Sequence, residues 1–171
     1  RPDNVDTRGT RMKKSFYPDI HFYADCSGSM TADNFEGVAK TIAMVASKRR
    51  VNIYFTSFSD VLSQDVLIPA AGKSPDEIVQ IIRQIPKVSG GTDFEIIWKH
   101  ISESPEREAR CNIIATDFEY YPYPDATHSK NTFYAPCDMG DWDMVKNSIE
   151  NFTQNMMPID ATIPGRILGV Y

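Results

Sequence analysis

Ile20-His21-Phe22-Tyr23-Ala24-Asp25-Cys26-Ser27-Gly28-Ser29-Met30 is a mostly apolar run that ends on an aspartate and two serines spaced by one residue. It predicts a strand over residues 19–25 that carries Asp25 to the edge of a sheet. Gly28 lets the chain turn sharply. Ser27 and Ser29 then offer two hydroxyl oxygens near one carboxylate. Clustered oxygen donors suit a hard cation such as Mg²⁺ or Mn²⁺. The same letters also read as an ordinary strand-to-helix turn with capping serines. The rest of the chain decides between the two.

After this stretch, Phe35, Val38, Ala39, Ile42, Val45 and Ala46 form the stripe of an amphipathic helix over 31–48. Residues 51–58 are rich in β-branched and aromatic side chains and predict a second strand. Strand, helix, strand over this length is a right-handed crossover between parallel strands. Ser59-Asp60 reads as a tight turn, and 61–68 as an antiparallel return at the sheet edge.

Ser74-Pro75-Asp76-Glu77 starts a helix with a serine cap, a proline at the first position and a glutamate at the third. Ile78, Ile81, Ile82 and Ile85 supply its buried stripe, and Pro86 closes it. Ser89-Gly90-Gly91-Thr92-Asp93-Phe94-Glu95 is a glycine turn that opens another helix, with Phe94, Ile97, Trp98 and Ile101 facing inward. Thr92 and Glu95 also match a capping box. Residues 104–110 read as a charged connector, and 111–116 as a short buried strand ending at Asp117.

A loop over 118–140 follows, with four tyrosines and three prolines. A loop that long inside a compact domain is usually functional. Trp142, Val145, Ile149 and Phe152 mark a helix over about 141–155, and 166–171 read as a last strand. There is no internal repeat.

Strands alternating with helices predict a three-layer α/β/α fold with a doubly wound, mostly parallel sheet and one antiparallel edge strand. The expected organisation is an arm or linker over 1–18 and one domain over 19–171. In such folds ligands bind at the carboxyl ends of strands. Asp25, Thr92 and Asp117 belong to three loops expected on that rim.

Composition narrows the function further. The chain has 171 residues, a hydrophobic fraction of 42% and a formal net charge of −5. Its charge argues against general polyanion binding, so no nucleic-acid partner is expected. The basic residues Arg8, Arg11, Lys13 and Lys14 read as a solvated linker. No apolar run is long enough to span a bilayer, and no membrane role is expected. The three cysteines form no CxxC pair and fit a reduced, cytoplasmic or intracellular viral setting. His128 and Cys137 share a loop but lack the further ligands a zinc site needs. The chain opens on Arg1 without a signal-peptide pattern and reads as a piece of a longer protein.

Asp25-x-Ser27-x-Ser29, Thr92 in a Gly-Gly-Thr-Asp turn, and Asp117 after an apolar strand resemble the metal-ion-dependent adhesion site of von Willebrand factor A domains. All five site side chains are matched in order, and the resemblance spans residues 19–171. The Gly-Gly-Thr-Asp-Phe turn looks closest to intracellular bacterial and phage members, which are often encoded beside MoxR-type AAA+ ATPases.

The resemblance implies a Rossmann-like fold and one bound Mg²⁺ or Mn²⁺. Ser27 and Ser29 would bind the metal directly, and Thr92 directly or through water. Asp25 and Asp117 would act mostly through water and hydrogen bonds. One coordination position is left for an Asp or Glu of a protein partner.

Glu119 departs from the simplest family pattern and is placed to compete for that position. Tyr120, Tyr121 and Tyr123 are the expected partner contacts, since they follow Asp117 directly.

The expected function is therefore a metal-dependent protein-interaction module and not an enzyme. Two other readings stand beside it. One is metal-dependent phosphoryl transfer from Asp25; phosphatases of the haloacid-dehalogenase type usually want a second aspartate where this chain has Ser27. No Walker-type loop or Ser-His-Asp set is legible, and His21, His100 and His128 lie away from the motif. The other is a structural domain with an empty site.

Overall fold

The computed structural model describes residues 18–49, 53–118, 131–137 and 161–162. Five strands form one sheet: β1 (Ile20–Asp25), β2 (Ile53–Phe58), β3 (Val66–Ile68), β4 (Cys111–Thr116) and β5 (Thr132–Pro136). Their order is β3-β2-β1-β4-β5. All neighbours are parallel except β3, which runs antiparallel to β2 at the edge. Four helices flank the sheet: α1 (Ala32–Arg49), α2 (Pro75–Gln84), α3 (Glu95–Ser102) and α4 (Pro105–Ala109). The expected three-layer, mostly parallel architecture is the one observed.

Strand side chains alternate between faces, and the two faces of this sheet differ in chemistry. One presents Phe22, Ala24, Ile53, Phe55, Ile113, Ala115 and Ala135 to Val38, Ile42 and Ala46 of α1 and Ile78 and Ile82 of α2. Burying each Val, Ile or Phe of this set contributes roughly 1.5–3 kcal/mol. The anticipated cap of α2 is present: Ser74 Oγ accepts from Glu77 N–H at 3.3 Å, and Glu77 Oε1 accepts from Ser74 N–H at 3.1 Å. At the other end of α2, Lys87 Nζ donates to the carbonyls of Ile82, Arg83 and Ile85.

The opposite face packs Tyr23, Phe58, Ile114 and Tyr134 against Phe94, Ile97 and Ile101 of the α3 region. It also buries His21, Thr56 and Asn112 completely. These polar groups converge near Asp65. Arg110 has only donors, so its contact with His21 Nδ1 at 3.2 Å makes that nitrogen the acceptor. His21 Nε2–H then donates to Thr56 Oγ1 at 2.8 Å, and Thr56 donates to Asp65 Oδ1 at 2.6 Å. His100 Nε2 and Arg107 Nε also reach Asp65, at 2.9 and 3.1 Å. The His21–Asp65 approach at 3.6 Å is thus between a neutral ring and a carboxylate.

Four expectations need correction. The edge strand expected over 61–68 is only Val66–Ile68, with one isolated bridge between Phe58 and Leu62. Ser59 to Ser63 instead fold back on the end of β2, where Ser63 N–H donates to Ser57 O at 2.9 Å. The connector over 104–110 contains α4, because Ser104 accepts from Arg107 N–H and Pro105 occupies the first turn. The loop expected over 118–140 contains β5, which pairs with β4 from Asn112↔Thr132 to Thr116↔Pro136. The Thr92–Glu95 capping box does not form; Asp93 Oδ1 accepts from Glu95 N–H at 2.9 Å instead. The arm over 1–18, save Pro18, the helix over 141–155 and the strand over 166–171 lie outside the described residues.

Burial and the Arg110 guanidinium hold the His21 imidazole far below its usual range, at about 3, against the pull of Asp65. Arg107 and His100 add to the lowering. In the unfolded chain the ring protonates near pH 6.5. The unfolded state therefore takes up the proton first, and acidification between these values favours unfolding. About 2 kcal/mol of stability should be lost between pH 6.5 and 5 through this residue. Denaturation midpoints measured across that range should show the loss in the native chain and a flatter profile in His21→Gln.

Candidate functional site

Parallel register brings several strand ends to one level. Asp25 stands opposite Phe58 of β2, and Thr116 of β4 opposite Pro136 of β5, while Ala24 pairs with Ala115 between them. Asp25 is fully buried. Its two oxygens are held separately: Oδ1 accepts from Ser27 N–H at 2.9 Å, and Oδ2 accepts from Thr116 Oγ1–H at 2.7 Å. Burial pushes this carboxyl above its usual range, and the hydrogen bonds from Ser27 and Thr116 oppose that push. The charged neighbour acting on it is Asp117, of like sign, which raises it further.

Ser27 is buried and Ser29 half-buried, with their hydroxyl oxygens 3.2 Å apart. Met30 N–H closes the turn onto Ser27 O at 3.0 Å. Helix α1 starts just beyond, where Thr31 Oγ1 accepts from Asn34 N–H. The turn carrying Thr92 lies alongside, because Gly28 N–H donates to Gly90 O at 3.0 Å. Thr92 itself is half-buried. Asp117 follows Thr116 directly and is half-buried.

The geometry thus brings Asp25, Ser27 and Ser29 into one hydrogen-bonded turn, with the Thr92 turn bonded to it and Asp117 at the adjoining strand end. Glu119, Tyr120, Tyr121 and Tyr123 lie outside the described residues, as does His128. Cys137 is buried in the core on the α1 side, and none of the three cysteines is in a disulfide.

The donor chemistry fits a hard cation. Among the described residues no group of three or more His, Cys, Asp or Glu side chains is placed to hold a metal. The donors available are hydroxyl oxygens backed by two carboxylates, a set suited to an ion that keeps several of its own waters. Such an ion would also place positive charge beside the buried Asp25 carboxylate and its like-charged neighbour Asp117. A cleft of about 420 Å³ opens beside the turn, walled by Asp25, Cys26, Met30, Phe35, Lys87 and Val88.

Sequence reasoning missed two residues that shape this rim. Thr116 looks like one more β-branched strand residue; only the register of β4 against β1 reveals it as the donor to Asp25. Phe118 has φ of 59°, an uncommon conformation for a bulky side chain. It is buried against Phe94 and Tyr134, with ring centroids 6.4 and 5.9 Å away. Its N–H donates to Thr116 Oγ1 at 3.1 Å.

A scan against protein-family models finds no match, and a search of curated proteins finds none either. Among solved structures, the chain is similar to an aerotolerance-related membrane protein from Bacteroides fragilis carrying multiple mutations to serines. The two share 12% sequence identity at a TM-score of 0.50, over 70% of this chain and 66% of that one. The match thus spans just under two thirds of that protein's length. At this identity the likeness shows the fold, which is von Willebrand factor A-like, and not the site. Among the described residues no helix is long and apolar enough to cross a membrane.

Among the described residues of the rim, Gly90 is the position where backbone demands glycine. Its φ is 136°, and a Cβ there would sit 2.7 Å from Asp60 Oδ1. Gly91, one residue on, has open space around it. Gly90→Ala should cost about 1–3 kcal/mol, whereas Gly91→Ala should be close to neutral. Chemical denaturation of the two variants checks the contrast.

Proposed function

We propose that this chain is a divalent-metal-dependent protein-interaction module. One observation carries the reading: the buried Asp25 carboxylate, held by Ser27 and Thr116, sits under two adjacent serine hydroxyls at a sheet edge shared with Asp117 and the Thr92 turn. Ser27 and Ser29 would hold Mg²⁺ or Mn²⁺ directly, with Thr92 direct or through water. Asp25 and Asp117 would supply charge from behind the hydroxyls. The ion would act as a Lewis acid that accepts an Asp or Glu from a partner.

The engagement of both Asp25 oxygens supports a positioning role over a nucleophilic one, and so a binding module over a phosphoryl-transfer enzyme. Specificity would come from the surrounding surface, since one carboxylate cannot identify a protein. Tyr120, Tyr121 and Tyr123 are the proposed partner contacts, and Glu119 a proposed internal competitor for the open position. By the family resemblance, a MoxR-type AAA+ ATPase is the first partner to test, in a cytoplasmic or intracellular viral setting.

Calorimetric titration with Mn²⁺ should show one site in the native chain. Ser29→Ala should weaken it by about tenfold, near 1.4 kcal/mol, and Asp25→Ala should remove it. A MoxR-type ATPase from the same genome should be retained on the immobilised chain with Mg²⁺ and released by EDTA. Absence of metal binding at millimolar Mn²⁺, with the chain folded by circular dichroism, would sink the proposal. Retention that ignores both EDTA and Thr92→Ala would show that binding does not use the metal.

A further inference from the structure

The segment that carries Thr92 meets its own helix through one bond, from Glu95 N–H to Asp93 Oδ1. Its fastenings run mainly to the end of β2. Val88 N–H donates to Ser57 Oγ at 3.2 Å, and Ser59 Oγ donates to Ser89 O at 3.1 Å. Asp93 N–H donates to Ser59 O at 2.9 Å. The remaining backbone bond is the one from Gly28 to Gly90 O, which joins this segment to the Asp25–Ser29 turn. Ser57 and Ser59 are both fully buried.

Ser59 is the more central of the two. Its single hydroxyl proton is shared between Ser89 O and Asp60 Oδ1, each 3.1 Å away, and its oxygen accepts from Val61 N–H at 3.4 Å. Asp60 in turn fills the space where a side chain at residue 90 would otherwise sit. Ser59 thus grips the Thr92 segment on both sides: through Oγ at Ser89 and through its own carbonyl at Asp93. The apolar neighbour Phe58 gives its carbonyl to Cys26 N–H at 2.8 Å. The end of β2 therefore holds both turns of the candidate site at once.

We infer that Ser59 is a positioning residue for the candidate metal site, setting Thr92 against Ser27 and Ser29 through the Ser89 carbonyl. The inference rests on reading the rim as a divalent-cation site. A serine meets two requirements here: a hydroxyl that can donate to a carbonyl, and a side chain small enough to be wholly buried between two turns. Losing the hydroxyl leaves the Ser89 carbonyl without that donor and lets the Thr92 segment drift. The effect on metal binding should therefore pass mainly through Thr92.

A double-mutant cycle tests this. Mn²⁺ affinity is measured by calorimetry for the native chain, Ser59→Ala, Thr92→Ala and the double variant, alongside thermal midpoints in EDTA. Ser59→Ala should weaken Mn²⁺ about two- to tenfold, the equivalent of one hydrogen bond. In the Thr92→Ala background it should weaken Mn²⁺ much less. An equal loss in both backgrounds would overturn the inference, and so would a lowered midpoint with unchanged affinity. If Ser59→Ala does not fold, Ser59→Cys, nearly the same size with a weaker donor, takes its place in the same cycle. A native chain that binds no Mn²⁺ overturns the cation reading and this inference with it; a native chain that binds, with an additive cycle, overturns this inference alone.

Discussion

A buried carboxylate must be satisfied on both oxygens or it costs several kcal/mol. Asp25 meets that constraint with two donors that come from different parts of the fold. Ser27 N–H arrives from the turn just after the strand, and Thr116 Oγ1–H from a strand 91 residues away in sequence. The second donor is there only if β4 lies beside β1 in the observed parallel register. Correct sheet pairing and a correctly held Asp25 are therefore one condition. A slip of one residue would point Thr116 to the other face of the sheet, leaving Asp25 half-satisfied and breaking the rim together with the core.

The two sheet faces divide the remaining work. The α1 side is a conventional apolar interior and carries the hydrophobic gain. The other face buries a relay from Arg110 through His21 and Thr56 to Asp65, with His100 and Arg107 converging on the same carboxylate. Networks of this kind rarely add net stability over apolar packing, because desolvation offsets the attraction. What this one does is geometric. Asp65 lies just past the segment that turns back from β2, so tying it to α3 and α4 locks that segment in place. The same segment begins at Ser59 and Asp60, under the Thr92 turn.

Much of this was legible in the residues, and the failures share a cause. The β1 strand, the α1 stripe and the Ser74 capping box were readable because each is local: a period or a spacing within a dozen residues. The candidate site was readable because its side chains sit at turns and strand ends, which local pattern also marks. Strand β5 was hidden inside a stretch whose tyrosines and prolines read as loop; among its described residues five pair, and their partner is β4. At the start of α3 it is Asp93, itself bonded to Ser59, and not Thr92 that accepts from Glu95 N–H. Thr116, Ser59 and the Asp65 cluster were invisible for one reason: their meaning lies in partners from 9 to 91 residues away.

The same non-local logic explains why strain sits next to Asp117. A positive φ at a bulky aromatic costs of order 1–3 kcal/mol. Phe118 can hold it because its ring is packed among Phe94 and Tyr134, contacts worth about 0.5–1.5 kcal/mol each beyond burial. It is also held because Thr116 Oγ1 accepts from its N–H. That oxygen is the one whose proton goes to Asp25. A hydroxyl has one proton to give and lone pairs to receive with, and here both are used, one toward each loop. The conformation of Phe118 and the orientation of the buried carboxylate are consequently coupled through a single atom. Neither can shift without the other feeling it, and that makes the strained exit part of the site.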